Sequence, residues 1–253
     1  MTVSNHNLFQ PSHIFSQLNM PTEQQIATHR KAQTAAKTVL DSLTGVITAN
    51  DTEQSIARKA HDMLSALGYP ETWYYHCPAL VLLGSRSCLS ISGKDYQPGN
   101  EKVGASNLIT IDLSPTDDEY WGDCARSFPF ENGKVTNTPT LLEFKNGIHF
   151  IEQLQQQMLR IAHPEMSFGQ LFDWANVRIR ESGFVNLDYR NNVGHSIAIS
   201  REDRQFIQTN NSIKLGDAPF FSFEPFVRLK GGSWGFKHED IFFFNQAGAL
   251  EKL

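Results

Sequence analysis

The sequence predicts an α+β domain made of two like halves, each a long helix, a short helix and then strands. Three observations predict it. Apolar residues recur at helical steps after Thr22 and again after Thr138. A short capped segment follows each long one and stops at a glycine, Gly68 in LGY and Gly183 in SGF. The distances agree as well: Thr22 and Gly68 are 46 positions apart and Thr138 and Gly183 are 45, which is how a duplicated unit reads even without a residue-level repeat.

Taken in order, residues 1–21 are polar and irregular, with Leu8, Phe9, Ile14, Phe15 and Leu18 scattered through them. They read as an N-terminal arm packed on the domain or on a second subunit, so a homodimer is one outcome. Residues 22–253 read as a single domain. From Thr22, Ala32, Ala35, Ala36, Val39, Leu40, Leu43 and Ile47 recur at steps of three and four and give one apolar helix face. A second helix starts at Asp51 or Thr52, where Asp51 and Gln54 have capping-box spacing, and ends at Gly68 and Pro70. Ala79 to Leu83, Leu108 to Leu113 and Glu119 to Phe128 are strand-like. Thr138 and Pro139 then form an N-cap and N1 pair before a long helix that turns Leu141, Phe144, Ile148, Ile151, Leu154, Met158 and Ile161 inward. Ser167 and Gln170 make another capping box before the helix that stops at Gly183.

Composition narrows the function classes. With 253 residues, 40% hydrophobic and 19% charged, the chain is globular and long enough for a substantial core. A formal charge of -5 without basic blocks argues against nucleic acid as a partner. No apolar run approaches the ~18 residues of a membrane span, and Met1 to Pro21 lacks the pattern of a secretory signal, so the expected location is cytoplasmic with no membrane partner. Cys77, Cys88 and Cys124 are odd in number and lack CxxC spacing, so they read as small core residues. GGSWG opens no helix and is not a phosphate cradle.

The chemistry concentrates in five polar residues set in apolar contexts. Leu108–Leu113 and Glu119–Phe128 flank a Pro/Asp turn and read as a β-hairpin, so Asp112 and Asp123 are expected to face each other across it. A carboxylate among Leu, Ile and Thr is costly to bury unless it is paired or bound to a cation. Taken singly, Asp112 reads as a turn aspartate capping Ser114 or Thr116, and Asp123 as a partner of Arg126. His195 in NVGHSIA, Glu224 in FFSFEPFV and Glu239 in FKHEDIFFF share the same setting. Glu224 is the hardest to explain alone, because Phe220, Phe221, Phe223 and Phe226 surround it. Four carboxylates and one imidazole form a ligand set for two divalent metals.

The order of these residues resembles the methionine aminopeptidase, Xaa-Pro aminopeptidase, prolidase and creatinase family. It runs Asp, a second Asp eleven positions on, Gly-His, Phe-Glu-Pro and a Glu near the C-terminus, over roughly residues 22 to 245. Each motif is weak alone; five in order are specific. The resemblance implies the pita-bread fold, two pseudo-symmetric halves of helices packed on curved antiparallel sheets with metals between them. It also implies two divalent ions (Mn, Co, Fe or Zn), one held by Asp112, Asp123 and Glu239 and the other by Asp123, His195, Glu224 and Glu239. Glu224 would carry the proton of the attacking water. Family peptidases add two histidines near the substrate. Glu202 occupies one of those places, and His76 is the nearest upstream histidine to the other, so His76 is a candidate catalytic group. Trp121, Trp234 and Arg126 are further pocket candidates. The implied activity is hydrolysis of a C–N bond in a small peptide or amino-acid derivative. Lys237, two before Glu239, resembles the basic residue of the Xaa-Pro branch. A creatinase-like amidohydrolase and a non-catalytic binding module of the same fold are the alternatives.

Overall fold

The computed structural model describes residues 19–253. The expected arm over residues 1–21 therefore lies outside the described residues except at its end, where Asn19 donates to the carbonyls of Gly216 at 3.1 Å and Asp217 at 3.2 Å. The first half contains α1 (Glu23–Leu43), α2 (Glu53–Ala66), β1 (Ala79–Leu83), β2 (Ser106–Leu113), β3 (Thr116–Asp117), β4 (Tyr120–Trp121), β5 (Cys124–Glu131) and β6 (Lys134–Val135). The second contains α3 (Leu142–Ile161), α4 (Phe168–Glu181), β7 (Phe184–Asn186), β8 (Phe221–Phe223), β9 (Phe226–Leu229), β10 (Gly235–Phe244) and β11 (Leu250–Lys252). The long-helix, short-helix, strands order occurs twice, as the sequence predicts. Both short helices end at the expected glycines, which take left-handed φ values of +91° at Gly68 and +79° at Gly183.

One antiparallel sheet joins the halves, with path β1-β2-β5-β10-β9-β7 and with β6, β8 and β11 attached to β5 and β10. The centre is β10. Its start pairs with β9, its middle with β5, and its end with β8 and β11. Because four partners take different stretches of one ten-residue strand, the sheet curls instead of lying flat. Each half has its own core. Val39, Leu40, Leu43, Ile56 and Leu64 of the first helices pack on Val81, Ile109 and Ile111, and Phe144, Leu154, Leu171 and Ile179 of the second pair pack on Phe223, Val227 and Phe242.

Three local expectations need correction. The Glu119–Phe128 run is not one strand: β4 ends at Trp121 and β5 begins at Cys124, so Gly122 and Asp123 form a break. Asp112 consequently stands opposite Ala125, not Asp123. The second helix takes Thr52 as its N-cap with Ser55 as reciprocal partner. Asp51 instead binds the Thr48 amide at 2.7 Å, Ser55 Oγ at 2.7 Å and Lys59 Nζ at 2.8 Å. The third helix starts at Leu142, after the expected Thr138-Pro139 pair, so Leu141 precedes the helix and is exposed instead of turned inward. The carboxylate of Glu131, at the end of β5, captures the amides of Thr140 at 2.7 Å and Leu141 at 2.9 Å, and this cap from another strand moves the start.

Asp51 is a stability site with a defined pH window. Burial opposes its charge, but Lys59, Ser55 and Thr48 more than offset this and bring its carboxyl from 3.8 to about 2. A depressed carboxyl stabilises the fold above its unfolded value and loses that contribution as pH falls towards the folded value. Asp51→Ala should lower the unfolding free energy by about 1–2 kcal/mol at neutral pH. In urea titrations the gap between wild type and variant should close between 3.8 and about 2; a gap that persists there would remove the ion pair as its cause.

Candidate metal centre

The five expected polar residues come from five separate places in the fold, and each is fixed through its backbone. Asp112 is on β2, next to the end of the strand. Asp123 sits in the break before β5, where α1 holds it: Gln33 accepts from the Asp123 amide at 2.8 Å and donates to its carbonyl at 3.0 Å. His29, one turn earlier on α1, bonds the Trp121 carbonyl at 3.0 Å. Glu239 lies on β10 opposite Ala125, which brings it beside Asp123. Its neighbour Asp240, on the other face of β10, is chelated by Arg126 at 2.9 and 3.0 Å, and Arg126 also donates to the Glu239 carbonyl. Arg126 thus pairs with Asp240, not with Asp123 as expected. Glu224 follows β8 and donates its amide to the Val193 carbonyl at 2.8 Å. Gln155 of α3 donates to the carbonyls of Phe223 at 3.0 Å and His238 at 2.8 Å, so one side chain ties together the strands that carry Glu224 and Glu239. His195 reaches the group because Gly194 has φ +153° and no side chain; a Cβ there would stand 2.1 Å from the Ser222 carbonyl oxygen.

The side chains converge. One ligand atom each from Asp123, His195 and Glu239 lie within 4.8 Å of one another, all three residues being at least 97% buried. His195 Nδ1 stands 3.0 Å from the Ser196 carbonyl, which can only accept, so this nitrogen carries the proton and Nε2 offers its lone pair. That lone pair faces Asp123 Oδ2 at 3.3 Å and Glu224 Oε1 at 3.6 Å. Burial keeps the imidazole neutral by lowering its pKa. Among the described residues, Asp123 Oδ2 and both Glu239 carboxylate oxygens have no hydrogen-bond donor. Buried acceptors facing one another without donors are costly, and burial followed by the neighbouring carboxylates pushes the Asp123 and Glu239 carboxyls well above their usual range. A cation relieves all of this at once. Oxygen ligands with one imidazole suit Zn and the harder first-row divalent ions, so the residues present fit a divalent metal held by Asp123, His195 and Glu239, with Glu224 at its edge.

Lys237 is the residue whose position the sequence does not foreshadow. Its Nζ lies 2.6 Å from Asp112 Oδ2, 2.9 Å from Glu224 Oε2 and 3.2 Å from Glu239 Oε2, the last without hydrogen-bond alignment. Burial disfavours its charge, yet Asp112, Glu239 and Glu224 raise its pKa well above the ordinary value, so it stays an ammonium. The Glu224 carboxyl is held below its usual range: burial works against this, and Lys237 outweighs it.

The cluster opens on a cavity of about 400 Å³ walled by Trp73, Tyr74, Tyr75, Arg201, Arg204 and Phe206, within the size range of small-molecule sites. Arg204 stacks 5.0 Å from the Trp73 ring and 5.4 Å from Phe206, and its Nε donates to the Arg201 carbonyl. It makes no salt bridge among the described residues. Asp112, Asp123, His195 and Glu224 line the cavity. His76 does not; it is exposed, on a turn where Tyr75 and His76 both have positive φ. Trp121 is buried behind the wall, stacked 4.4 Å on Trp73. Trp234 packs edge-on against Phe144 at 5.2 Å, away from the cavity. Glu202 lies at the rim, engaged with Ser200 and Arg201. Sequence reasoning missed Gln33, Gln155, Trp73 and Arg204. The two glutamines left a trace, since each interrupts an inward apolar stripe, Gln33 among Ala32, Ala35 and Ala36 and Gln155 among Ile151, Leu154 and Met158.

A model of metallopeptidase family M24 matches residues 27–245. The structure is similar to an X-Pro aminopeptidase from Thermotoga maritima MSB8 (TM-score 0.76, 22% identity, 92% of this chain and 61% of that one). It is also similar to a prolidase from Pyrococcus furiosus (0.75, 19%, 92% and 64%). A methionine aminopeptidase from Rickettsia prowazekii matches over 93% of this chain and 98% of its own, at TM-score 0.71 and 14% identity. The chain thus spans about six tenths of the first two. No curated protein sequence matches it. Among the described residues, no helix is long and apolar enough to cross a membrane.

Gln33 tests how the centre is positioned. Gln33→Leu leaves the Asp123 amide and carbonyl unpaired in the interior, and loss of such an orienting partner weakens metal binding ~10–100-fold. Calorimetric titration with Mn should show that loss with the far-ultraviolet spectrum unchanged; an unaltered Kd would mean that the break is held by other contacts.

Proposed function

This chain belongs to metallopeptidase family M24, and from that premise we propose that it is a metal-dependent hydrolase of the C–N bond in a small, Xaa-Pro-type peptide ending in a free carboxylate. The observation that carries the reading is the set of buried, donor-free oxygens on Asp123 and Glu239, with the His195 lone pair beside them, next to a cavity that Asp123 and His195 line and whose wall carries Arg204. The likeness to an X-Pro aminopeptidase and a prolidase supports the substrate class.

A divalent ion bound by Asp123, His195 and Glu239 supplies Lewis acidity towards a carbonyl and acidifies a water. The chain's own groups do the rest. Glu224, ionised through Lys237, is a carboxylate of the cluster open to the cavity that can accept a proton. Its Oε2 is held by Lys237, which orients the group. Arg204 is fixed between aromatic faces and keeps guanidinium donors free for an anionic substrate group. Trp73, Tyr74 and Phe206 exclude water around it, which strengthens that contact.

One observation favours a second reading. Among the described residues lining the cavity, His195 is the lone histidine, so the imidazoles that family peptidases use near the scissile carbonyl have no counterpart here. A creatinase-like substrate, a non-peptide amide whose own polar groups make those contacts, fits such a wall.

Glu224→Gln should lower kcat ~10²–10⁴-fold, the range for a lost general base, while metal content is retained. Arg204→Ala should raise KM for Xaa-Pro dipeptides ~10-fold or more, as loss of a charged hydrogen bond does, and leave the corresponding C-terminal amides unchanged. A metal-reconstituted panel of Xaa-Pro dipeptides, their amides, Met-initiated peptides and N-substituted amino acids decides between the readings. Rapid release of N-terminal methionine would overturn both.

A further inference from the structure

The half of the carboxylate cluster around Asp112 already holds a cation of the chain's own. Lys237 Nζ has three protons and three carboxylate oxygens within 2.6–3.2 Å, one each from Asp112, Glu224 and Glu239. Asp112 Oδ2 is its closest partner. The side chain is mostly shielded from solvent and has no acceptor outside this cluster among the described residues. Its backbone is pinned too: the Lys237 amide donates to Ser127 Oγ at 2.8 Å, and Ser127 Oγ is bonded to Thr110 Oγ1 at 2.7 Å. The ammonium is therefore delivered to this position by a paired strand, not by a mobile loop.

The remaining members behave differently. Asp123 Oδ2, Glu239 Oε1 and the His195 lone pair are not among the atoms that Lys237 Nζ contacts, and among the described residues those oxygens lack donors. The donor-free Asp123 Oδ2 and Glu239 Oε1 mark where a cation is missing; the Asp112 and Glu224 oxygens against Nζ mark where one is supplied. Charge points the same way. One dication and the ammonium set three positive charges against the four carboxylates, whereas two dications and the ammonium would set five, with Arg204 close enough to act on Asp123, His195 and Glu224 as well.

We propose that Lys237 takes the place of one of the two metal ions the donor set would otherwise hold, so that this chain binds a single divalent ion at Asp123, His195 and Glu239, with Asp112 paired to the ammonium and not a ligand. The inference rests on the metal-dependent reading above and restricts it to a mononuclear centre. Lysine suits the role because its ammonium is a compact point charge with three donors.

The test counts metal. Wild-type protein stripped by chelator is loaded with excess Mn, freed of unbound metal by gel filtration, and assayed by elemental analysis and electron paramagnetic resonance. The expected result is one ion per chain with the six-line signal of an isolated Mn(II). Asp112→Asn should still bind one ion with at most a few-fold change in Kd. Lys237→Met should bind two, with the spectrum broadened by coupling between them. Two coupled ions in the wild type would overturn the inference and leave the metal-dependent reading intact; no bound ion would overturn both. One ion in Lys237→Met, or loss of the ion in Asp112→Asn with the fold preserved, would also overturn it. If Lys237→Met fails to fold, the wild-type count and Asp112→Asn decide the matter.

Discussion

Four carboxylates cannot share a closed pocket without positive charge among them, and much of this protein is arranged to meet that constraint. Repulsion between ionised carboxylates at such range is paid in raised pKa values or relieved by cations. Both responses are present. The Asp123 and Glu239 carboxyls are raised, and Lys237 stands against the other two while touching Glu239. The divalent ion proposed above would complete the balance on the Asp123 side. The site is therefore assembled by charge compensation first and by hydrogen bonding second.

The strand that makes this feasible is β10. Alternation along a strand sends successive side chains to opposite faces, so Lys237 and Glu239 enter the cluster while His238 and Asp240 turn away from it. The second face is no weaker than the first. Asp240 is bound by Arg126 and His238 and approached by Lys37 and Lys252, and together they hold its carboxyl far below the usual range although burial opposes this. Arg126 links the faces by donating to the Glu239 carbonyl. A strand buried between two rows of charges is held in register from both sides, and its ligands need no loop to place them.

The two long helices do the corresponding work from outside the sheet. Gln33 of α1 clamps the break that carries Asp123, and Gln155 of α3 bridges the strands that carry Glu224 and Glu239. Each half of the duplicated architecture thus contributes one buried amide that satisfies backbone groups next to ligands. The cavity wall is built separately, from the Trp73–Tyr75 turn and the 201–206 segment, whose arginines lie over aromatic rings. The carboxylate cluster and the cavity wall therefore come from different kinds of structure, the strands with the segments that end on them and two connecting segments. Loop residues of this kind can change substrate class without disturbing the centre.

What the sequence determined by itself is local or periodic. Helical steps after Thr22, the capping box at Ser167, and terminal glycines at 68 and 183 place α1, α2, α4 and the duplicated order, because caps and periodicity act within a few residues. Asp112, Asp123, His195, Glu224 and Glu239 stood out for a related reason: a polar group in an apolar run is anomalous wherever it occurs. Tertiary structure alone decided the pairings. The start of α3 is set by Glu131 on another strand, Arg126 chooses Asp240 over the nearer Asp123, and His76 and Trp121 lie outside the cavity that Trp73 and Arg204 enter. Lys237 is the sharpest case. From its neighbours in the chain it is a lysine two residues before a glutamate. Only the curl of the sheet brings Asp112, 125 positions away, against its ammonium, and a Coulomb contact depends on distance in space, which no window along the chain contains.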